Sequence, residues 1–326
     1  MSITVGINGF GPIGKSALFA ALADPLFTVT AVVDASVCAA YIAYVIEQEY
    51  PHRNPTGPPI RVTDKQKDQI VLNDIHAIHV SAAQDPQSST WKKYGVQYVL
   101  ECTGLYTTRS RSWGHVTGGA VGVFIAAASA DTNTVMASTP VLDALAKVLE
   151  IEQVSYTALY GPQPQHPIGA KSDDSRDWRQ VRLQPFASCA MASSRDNGAE
   201  TVGALLPHLA GHVSASAFQV PVAQGCAIDL VVYTKEAAPA DVVASAFAHA
   251  AAGSKPLSKV CIANGPMISV DCIGSSSVIL DAASLSSSTE GKVHRMVLWV
   301  DVACYYAALL LSLVKQAHSI HAPPSS

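Results

Sequence analysis

Charged side chains are scarce in this sequence. They make up 14% of its 326 residues, against about a quarter in an average globular domain. Neither sign dominates, since 21 lysines and arginines stand against 25 acidic residues and give a net charge of −4. A surface that binds nucleic acid or an anionic membrane needs a basic patch. The composition therefore argues against both kinds of partner.

Cysteine pairs with the spacing of a metal site or a redox motif are also missing. The seven cysteines are scattered, and none forms a Cys-x-x-Cys pattern. The N-terminal residues run directly into a strand pattern at 3–7, without the basic segment of a signal peptide. The odd cysteine count and this start predict a reducing compartment, so we expect a cytoplasmic protein.

One apolar stretch has the length of a membrane span, over residues 296–314. Asp301 lies inside it, and its first half, 297–300, is rich in strand-forming residues. A charged residue is costly within a bilayer. The pattern therefore favours a buried strand followed by a core helix over a membrane span.

The chain is long enough for two domains, and 49% of its residues are hydrophobic. In the first third, predicted strands over 3–8 and 27–33 alternate with helical patterns over 13–23 and 37–50, and a further short strand is predicted at 60–62. This alternation predicts an α/β fold with a doubly wound parallel sheet.

The second half changes character. Predicted strands at 218–222, 227–232, 267–270 and 278–280 are widely spaced around a helical pattern over 240–252. This spacing predicts an α+β domain with an antiparallel sheet and helices on one side.

A glycine-rich turn marks a nucleotide site. Gly9, Gly11 and Gly14 form a GxGxxG pattern that follows a strand and opens a helix, and Asp34 follows twenty residues after Gly14. In that context the pattern predicts dinucleotide binding, and Asp34 would favour NAD over NADP by repelling a 2′-phosphate. Pro12 lacks an N–H, so the loop loses a phosphate donor and we expect NAD to bind weakly.

The sequence resembles the glyceraldehyde-3-phosphate dehydrogenases. Residues 5–11 are identical to that family's opening motif, VGINGFG. Further runs resemble family motifs in matching order and spacing: 98–108, 118–120, 128–131, 198–209, 217–221, 275–282 and 299–301.

The resemblance implies a Rossmann-type NAD-binding domain over 1–136, completed by a C-terminal helix within 302–326, and a catalytic domain over 137–301. It implies hydride transfer to NAD from an intermediate on a cysteine activated by a histidine. A homo-oligomer or a larger assembly is a further expectation. The cofactor contacts that carry over are Asn8, Gly9, Phe10, Gly11, Ile13, Asp34, Thr103 and Gly104.

The residues that would carry the chemistry do not match the family. Ala137 stands at the position of the nucleophilic cysteine, and a block of family residues is missing before it. We therefore expect the strand that delivers the cysteine to be lost or reduced to a short piece at 134–137. Tyr160 stands at the position of the histidine base, and a phenol keeps its proton at neutral pH.

Three further family positions differ. Gln219 replaces the arginine for the substrate phosphate, Val302 replaces the asparagine that orients nicotinamide, and Asn197 replaces a phosphate-binding threonine, for which Ser188 is another match. A sequence error at the gap before Ala137 would not explain these differences.

Two functions fit these observations. The first is an NAD-binding relative without catalytic residues that serves a sensing, structural or interaction role. The second is an active NAD-dependent oxidoreductase with relocated groups, for which Cys189 and His166 are the candidates. The sequence favours the first.

Overall fold

The structure is a computed structural model, and it describes residues 2–55, 57–83, 85, 91–127, 137–161, 192–194, 198–222, 224–252 and 259–321. The chain divides into two compact units. The first comprises Met1–Thr132 and Tyr306–Ser326, and the second comprises Asn133–Tyr305. The domain limits given above remain a prediction about how the chain divides by function.

The first unit is built on a seven-stranded sheet. Its strands are β1 Ile3–Asn8, β2 Phe27–Val33, β3 Val62–Lys65, β4 Gln69–Leu72, β5 His76–Ser81, β6 Tyr98–Glu101 and β7 Gly122–Ile125. Its helices are α1 Pro12–Ala23, α2 Ala39–Arg53 and α3 Arg109–Thr117. The last described helix of the chain, α7 Val302–His321, supplies its later turns to the same unit.

The strand order is β3-β4-β5-β2-β1-β6-β7, and β1, β2, β5, β6 and β7 run parallel. From β1 the chain proceeds to β2 on one side, and it later returns to β6 on the other. This reversal opens a crevice at the carboxyl ends of β1 and β6, where ligands of doubly wound sheets bind. The expected parallel sheet is therefore present, with β3 and β4 added antiparallel at one edge.

Burial explains why the central strands form. All of β6 and nearly all of β1 are buried, which is the pattern of strands covered on both faces. One face packs against α1 and α2 together with Leu310 and Val314 of α7. The other face carries a smaller cluster around Trp91 and Val99.

Two elements of the first unit extend further along the chain than the sequence predicts. Helix α2 continues through Pro51 to Arg53 instead of ending at Tyr50, although Pro51 has no N–H to donate within its last turn. The strand expected at 60–62 begins at Val62, because the backbone N–H of Arg61 donates to the side chain of Asn73 and keeps that segment a loop.

The second unit contains another seven-stranded sheet. Its strands are β8 Ile151–Tyr160, β9 Ala192–Ser194, β10 Val213–Gln219, β11 Cys226–Thr234, β12 Val260–Ala263, β13 Val278–Ser287 and β14 Val293–Val300. Its helices are α4 Thr139–Ala146, α5 Gly198–Leu205 and α6 Ala240–Ala252.

This sheet is mixed: four of its six strand pairs are antiparallel, as the sequence predicts, and two are parallel. In the order β12-β13-β14-β11-β8-β10-β9, the pairs β8–β10 and β12–β13 are parallel and the others are antiparallel. Parallel neighbours need a crossover. The connection from β8 to β10 passes through α5, and that from β12 to β13 passes through the helical turn Ser269–Cys272.

The apolar stretch at 296–314 forms the end of β14 and most of α7, which confirms the strand-then-helix expectation. Asp301 lies between them, where its carboxylate accepts hydrogen bonds from the backbone N–H groups of Cys304 (3.1 Å) and Gly274 (2.8 Å). The charged residue thus caps a helix. Among the described helices, none combines the length and apolar character needed to cross a bilayer.

Candidate nucleotide site

The turn after β1 brings the first glycine against the loop after β6. Gly9 has a φ of 93°, which favours glycine, and its N–H donates to the carbonyl oxygen of Val33 at 2.7 Å. A Cβ on Gly9 would lie 2.8 Å from the backbone nitrogen of Thr103. The close approach therefore places β1 and β6 side by side at the crevice.

The other two glycines differ in their surroundings. A Cβ on Gly14 would lie 1.9 Å from the carbonyl oxygen of Gly9, so only glycine lets α1 pack on this turn. A Cβ on Gly11 would meet no atom within 4 Å. Gly11 thus faces open space at the start of α1, where a pyrophosphate could approach the backbone.

The amide groups of this loop are partly committed. Gly9 and Phe10 donate to protein acceptors, and Pro12 has no N–H. The amides of Gly11 and Ile13 remain as candidates for a phosphate, while the Ile13 side chain packs against the core. That Pro12 weakens the phosphate site stays a prediction.

Asp34, at the end of β2, is held by two backbone amides. Its Oδ2 accepts from the N–H of Phe10 and its Oδ1 accepts from the N–H of Ser36, both at 2.7 Å. Each oxygen keeps a lone pair for a ribose hydroxyl. The Phe10 ring is buried with its edge against Tyr41, at 6.4 Å between centroids, so Phe10 serves the site by fixing Asp34.

A buried carboxylate that sequence reasoning missed lies beneath the crevice. Glu101, the last residue of β6, is 1% exposed and accepts four hydrogen bonds. The donors are the Nδ2 of Asn8 (2.5 Å), the Nε2 of His115 (2.9 Å), and the N–H (2.8 Å) and hydroxyl of Thr103. A glutamate that ends a fully apolar strand was the signal that could have revealed it.

The network continues to Trp91. The indole Nε1 of Trp91 donates to the Nδ1 of His115 at 3.0 Å. Because an indole nitrogen can only donate, the Nδ1 of His115 is the acceptor. His115 therefore carries its proton on Nε2, and this N–H donates a hydrogen bond to Glu101. The Trp91 ring also lies against Gly6, where a Cβ would come within 2.6 Å of it. Three segments of the first unit, those of Asn8, Thr103 and His115, therefore meet at the Glu101 carboxylate, and Trp91 joins them through His115.

Two ionisable neighbours of Glu101, Cys102 and Tyr106, have pKa values raised by their surroundings. Burial and then the Glu101 carboxylate raise the pKa of the Cys102 thiol far above its ordinary value, so this thiol stays protonated. Burial likewise raises the pKa of Tyr106, and the charges of Glu101 and Asp85 add to the shift. Gly104, with a φ of 71° and no atom within 4 Å of its Cβ position, leaves the rim open.

In the second unit, two of the residues that the sequence resemblance matches to catalytic positions lie side by side. Tyr160 and Gln219 are register partners at the ends of β8 and β10. On its other side, Tyr160 pairs with Cys226 of β11. Ala137 is buried just before α4, and Val302 opens α7. The row from Gln219 to Cys226 carries no charged side chain.

Some expectations fall outside the described part of the chain. They concern Cys189, His166, Ser188 and Asn197, and most of the short piece expected at 134–137. Within the described ranges, no three His, Cys, Asp or Glu side chains converge as metal ligands.

Comparison with known proteins agrees with this geometry. The family model of the glyceraldehyde 3-phosphate dehydrogenase NAD binding domain matches residues 3–109, and that of the C-terminal domain matches residues 129–302. Apart from His115, the crevice residues lie within the first match. This match to an NAD binding domain indicates that the cofactor is NAD.

Individual relatives match along nearly the whole chain. Glyceraldehyde-3-phosphate dehydrogenase 1 of Streptomyces arenae is 30% identical, with 96% of this chain and 98% of the relative covered. The cytosolic enzyme of Craterostigma plantagineum is 26% identical (96% and 97% covered), and the chloroplastic GAPCP1 of Arabidopsis thaliana is 29% identical (95% and 77% covered). The chain belongs to the glyceraldehyde-3-phosphate dehydrogenase family.

Proposed function

We propose that this protein binds NAD without catalysing the phosphorylating oxidation of glyceraldehyde 3-phosphate, and that it serves a sensing, structural or interaction role. One contrast supports the proposal. The crevice of the first unit keeps the anchored Asp34 and the open Gly11. The positions aligned with thiol, base and phosphate-binding cation hold Ala137, Tyr160 and Gln219.

The residues present fit the adenosine half of NAD. Asp34 would accept from the ribose hydroxyls, and the amides of Gly11 and Ile13 would donate to the pyrophosphate. When bound, NAD supplies a hydride acceptor. The reaction also needs a thiolate, a base near neutral pKa and a cation, which no side chain at the aligned positions provides.

The first test is calorimetric titration with NAD and NADP, followed by an assay for NADH production from glyceraldehyde 3-phosphate and inorganic phosphate. We expect NAD to bind more tightly than NADP, and we expect no turnover. Absence of NAD binding would refute the binding half of the proposal, and sustained turnover would refute the catalytic half.

The alternative, an active oxidoreductase with relocated groups, has one additional candidate. Cys226 lies opposite Tyr160 in the row where the base would stand. Turnover abolished by Cys189→Ser, His166→Gln or Cys226→Ser would support relocation. Cys261→Ser is the matched control, because Cys261 lies on the exposed face of β12.

We further propose a cytoplasmic location and a homo-oligomeric assembly. The cytosolic relative from Craterostigma plantagineum supports the first. Fractionation of cells and light scattering of the purified protein test the two statements separately. A monomer at micromolar concentration would contradict the second.

A further inference from the structure

We propose that Glu101 is a positioning residue for NAD, because it fixes which end of the Asn8 amide faces the crevice. The inference rests on the proposed NAD binding at this site. Glu101 is buried, and the donor of each of its four hydrogen bonds is identified.

The four donors leave Glu101 a single protonation state. Its Oε1 accepts from the N–H and the hydroxyl of Thr103, and its Oε2 accepts from Asn8 and His115. The Thr103 hydroxyl accepts in turn from the N–H of Leu105 at 3.0 Å, so its proton points to Glu101. With His115 protonated on Nε2, every donor around the carboxylate is accounted for and Glu101 is ionised.

An ionised Glu101 dictates the orientation of Asn8. The amide nitrogen of Asn8 must face the carboxylate, and its Oδ1 therefore points to the opposite side. Asn8 is the last residue of β1, and its backbone oxygen accepts from the N–H of Cys102 at 2.7 Å, so the side chain stands at the strand ends that form the crevice. Oδ1 thus presents an acceptor to a hydroxyl or amino group of the cofactor.

Thr103 has no donor left for a hydrogen bond to the cofactor. Its N–H and its hydroxyl proton are both held by Glu101. We assign Thr103 a supporting part, in which it anchors the loop while Asn8 makes the contact.

Stability alone does not explain this arrangement. A buried charge destabilises a fold unless it is well compensated, and well-packed apolar groups in its place are often as stable. Here no cation lies among the four donors, so the negative charge is offset by hydrogen bonds alone. A carboxylate does what an apolar group could not, since it forces three side-chain donors and one backbone donor into fixed directions.

A substitution at Glu101 should reverse the orientation of the Asn8 side-chain amide, and this tests the proposal. In Glu101→Gln, the new amide nitrogen cannot face the backbone N–H of Thr103, which is also a donor. It must face Asn8 and His115, so the Asn8 amide turns over and presents a donor to the crevice, while the donor–donor contact with the Nε2–H of His115 lowers stability. We expect binding of ADP-ribose, the part of NAD without nicotinamide, to weaken by about tenfold in calorimetry.

A second substitution should reverse that loss. In the double variant Asn8→Asp with Glu101→Gln, one oxygen of the introduced aspartate accepts from the introduced glutamine amide, and the other again presents an acceptor. We expect most of the lost affinity to return, although the buried network differs from the wild type. A general loosening of the fold would not be rescued in this way.

Two matched variants separate orientation from stability. Trp91→Phe removes the donor to His115 but leaves both oxygens of Glu101 and the Asn8 amide in place, so the free energy of unfolding should fall while affinity stays within about twofold. Glu150→Gln makes the same chemical change at an exposed ion pair with Lys235 and should alter neither quantity.

The outcomes are distinct. A wild type that does not bind ADP-ribose or NAD refutes the proposed function. A wild type that binds, together with Glu101→Gln of equal affinity, overturns only the positioning role, and so does a double variant no better than Glu101→Gln. If Glu101→Gln does not fold, Asn8→Ala removes the acceptor directly, and unchanged affinity in that variant overturns the inference.

Discussion

Two alanine substitutions in the glycine turn should separate packing from ligand binding. A methyl group on Gly14 would meet the carbonyl oxygen of Gly9 at 1.9 Å, with the carbonyl carbon at 3.0 Å and a methyl of Ile7 at 3.3 Å. The obstacle is backbone, so α1 would have to move by about 1 Å to relieve the contact. A methyl group on Gly11 would meet nothing within 4 Å.

The magnitudes follow from these distances. Overpacking against a backbone costs about 3 kcal/mol, and the helix propensity of alanine offsets about 1 kcal/mol, so Gly14→Ala should lose about 2 kcal/mol of unfolding free energy. Gly11→Ala should lose less than about 1 kcal/mol, because Gly11 caps the helix with an unstrained backbone. Its new methyl group would nevertheless occupy the approach to the pyrophosphate, so NAD affinity should fall by at least about tenfold.

Urea unfolding and calorimetric titration with NAD measure the two effects on the same samples. Gly11→Ala is the matched control for stability, and wild type is the reference for affinity. If Gly11→Ala binds NAD as tightly as wild type, the open side of Gly11 is not the phosphate site. If Gly14→Ala is as stable as wild type, the contact with Gly9 does not hold α1 in place.

Three further results are expected. Pro12→Arg should tighten NAD binding in calorimetry by about tenfold, because it restores a backbone amide and adds a cation. Equal affinity would show that Pro12 does not weaken NAD binding. Burial lowers the pKa of His294, so as pH falls below about 6.5 the unfolded chain takes up a proton that the folded chain refuses. Unfolding free energy from urea titrations should then fall by up to about 1.4 kcal/mol per pH unit until the folded pKa is reached, and a parallel curve for His294→Gln would contradict this. Ala137→Cys alone should give no NADH from glyceraldehyde 3-phosphate, because catalytic groups act as a unit, and turnover in that variant would show that one group suffices.

The central strands could be predicted from the sequence because their signals are local. The apolar runs 3–8 and 27–33 became β1 and β2 with the same limits, since turn residues bound each run. Strand direction in the second sheet was not local. It depends on where each connection returns the chain, and α5 and the turn Ser269–Cys272 turned two expected antiparallel pairs into parallel ones.

The site divides in the same way. Spacing alone predicts Gly11 and Asp34 as cofactor contacts, because a glycine turn and the acidic residue after the next strand follow from one βαβ unit. The sequence did not reveal the hydrogen-bond network of Glu101, because its donors come from separate segments and Asn8 lies 93 residues from Glu101. No periodic pattern links such residues, and only the folded sheet brings them together.

The two units differ in which destabilising polar groups they keep, and this bears on function. An ionised, buried Glu101 carries a desolvation cost, which its four hydrogen bonds offset. The positions aligned with catalytic groups show the opposite, since the buried Ala137 and the uncharged Tyr160 and Gln219 bury no charge. Substitutions that relieve a strained reactive site commonly raise stability while they abolish chemistry. The proposal that this chain binds NAD without dehydrogenase turnover rests on this contrast, between a buried carboxylate beside the nucleotide crevice and uncharged residues at the positions where the family resemblance would place the reaction.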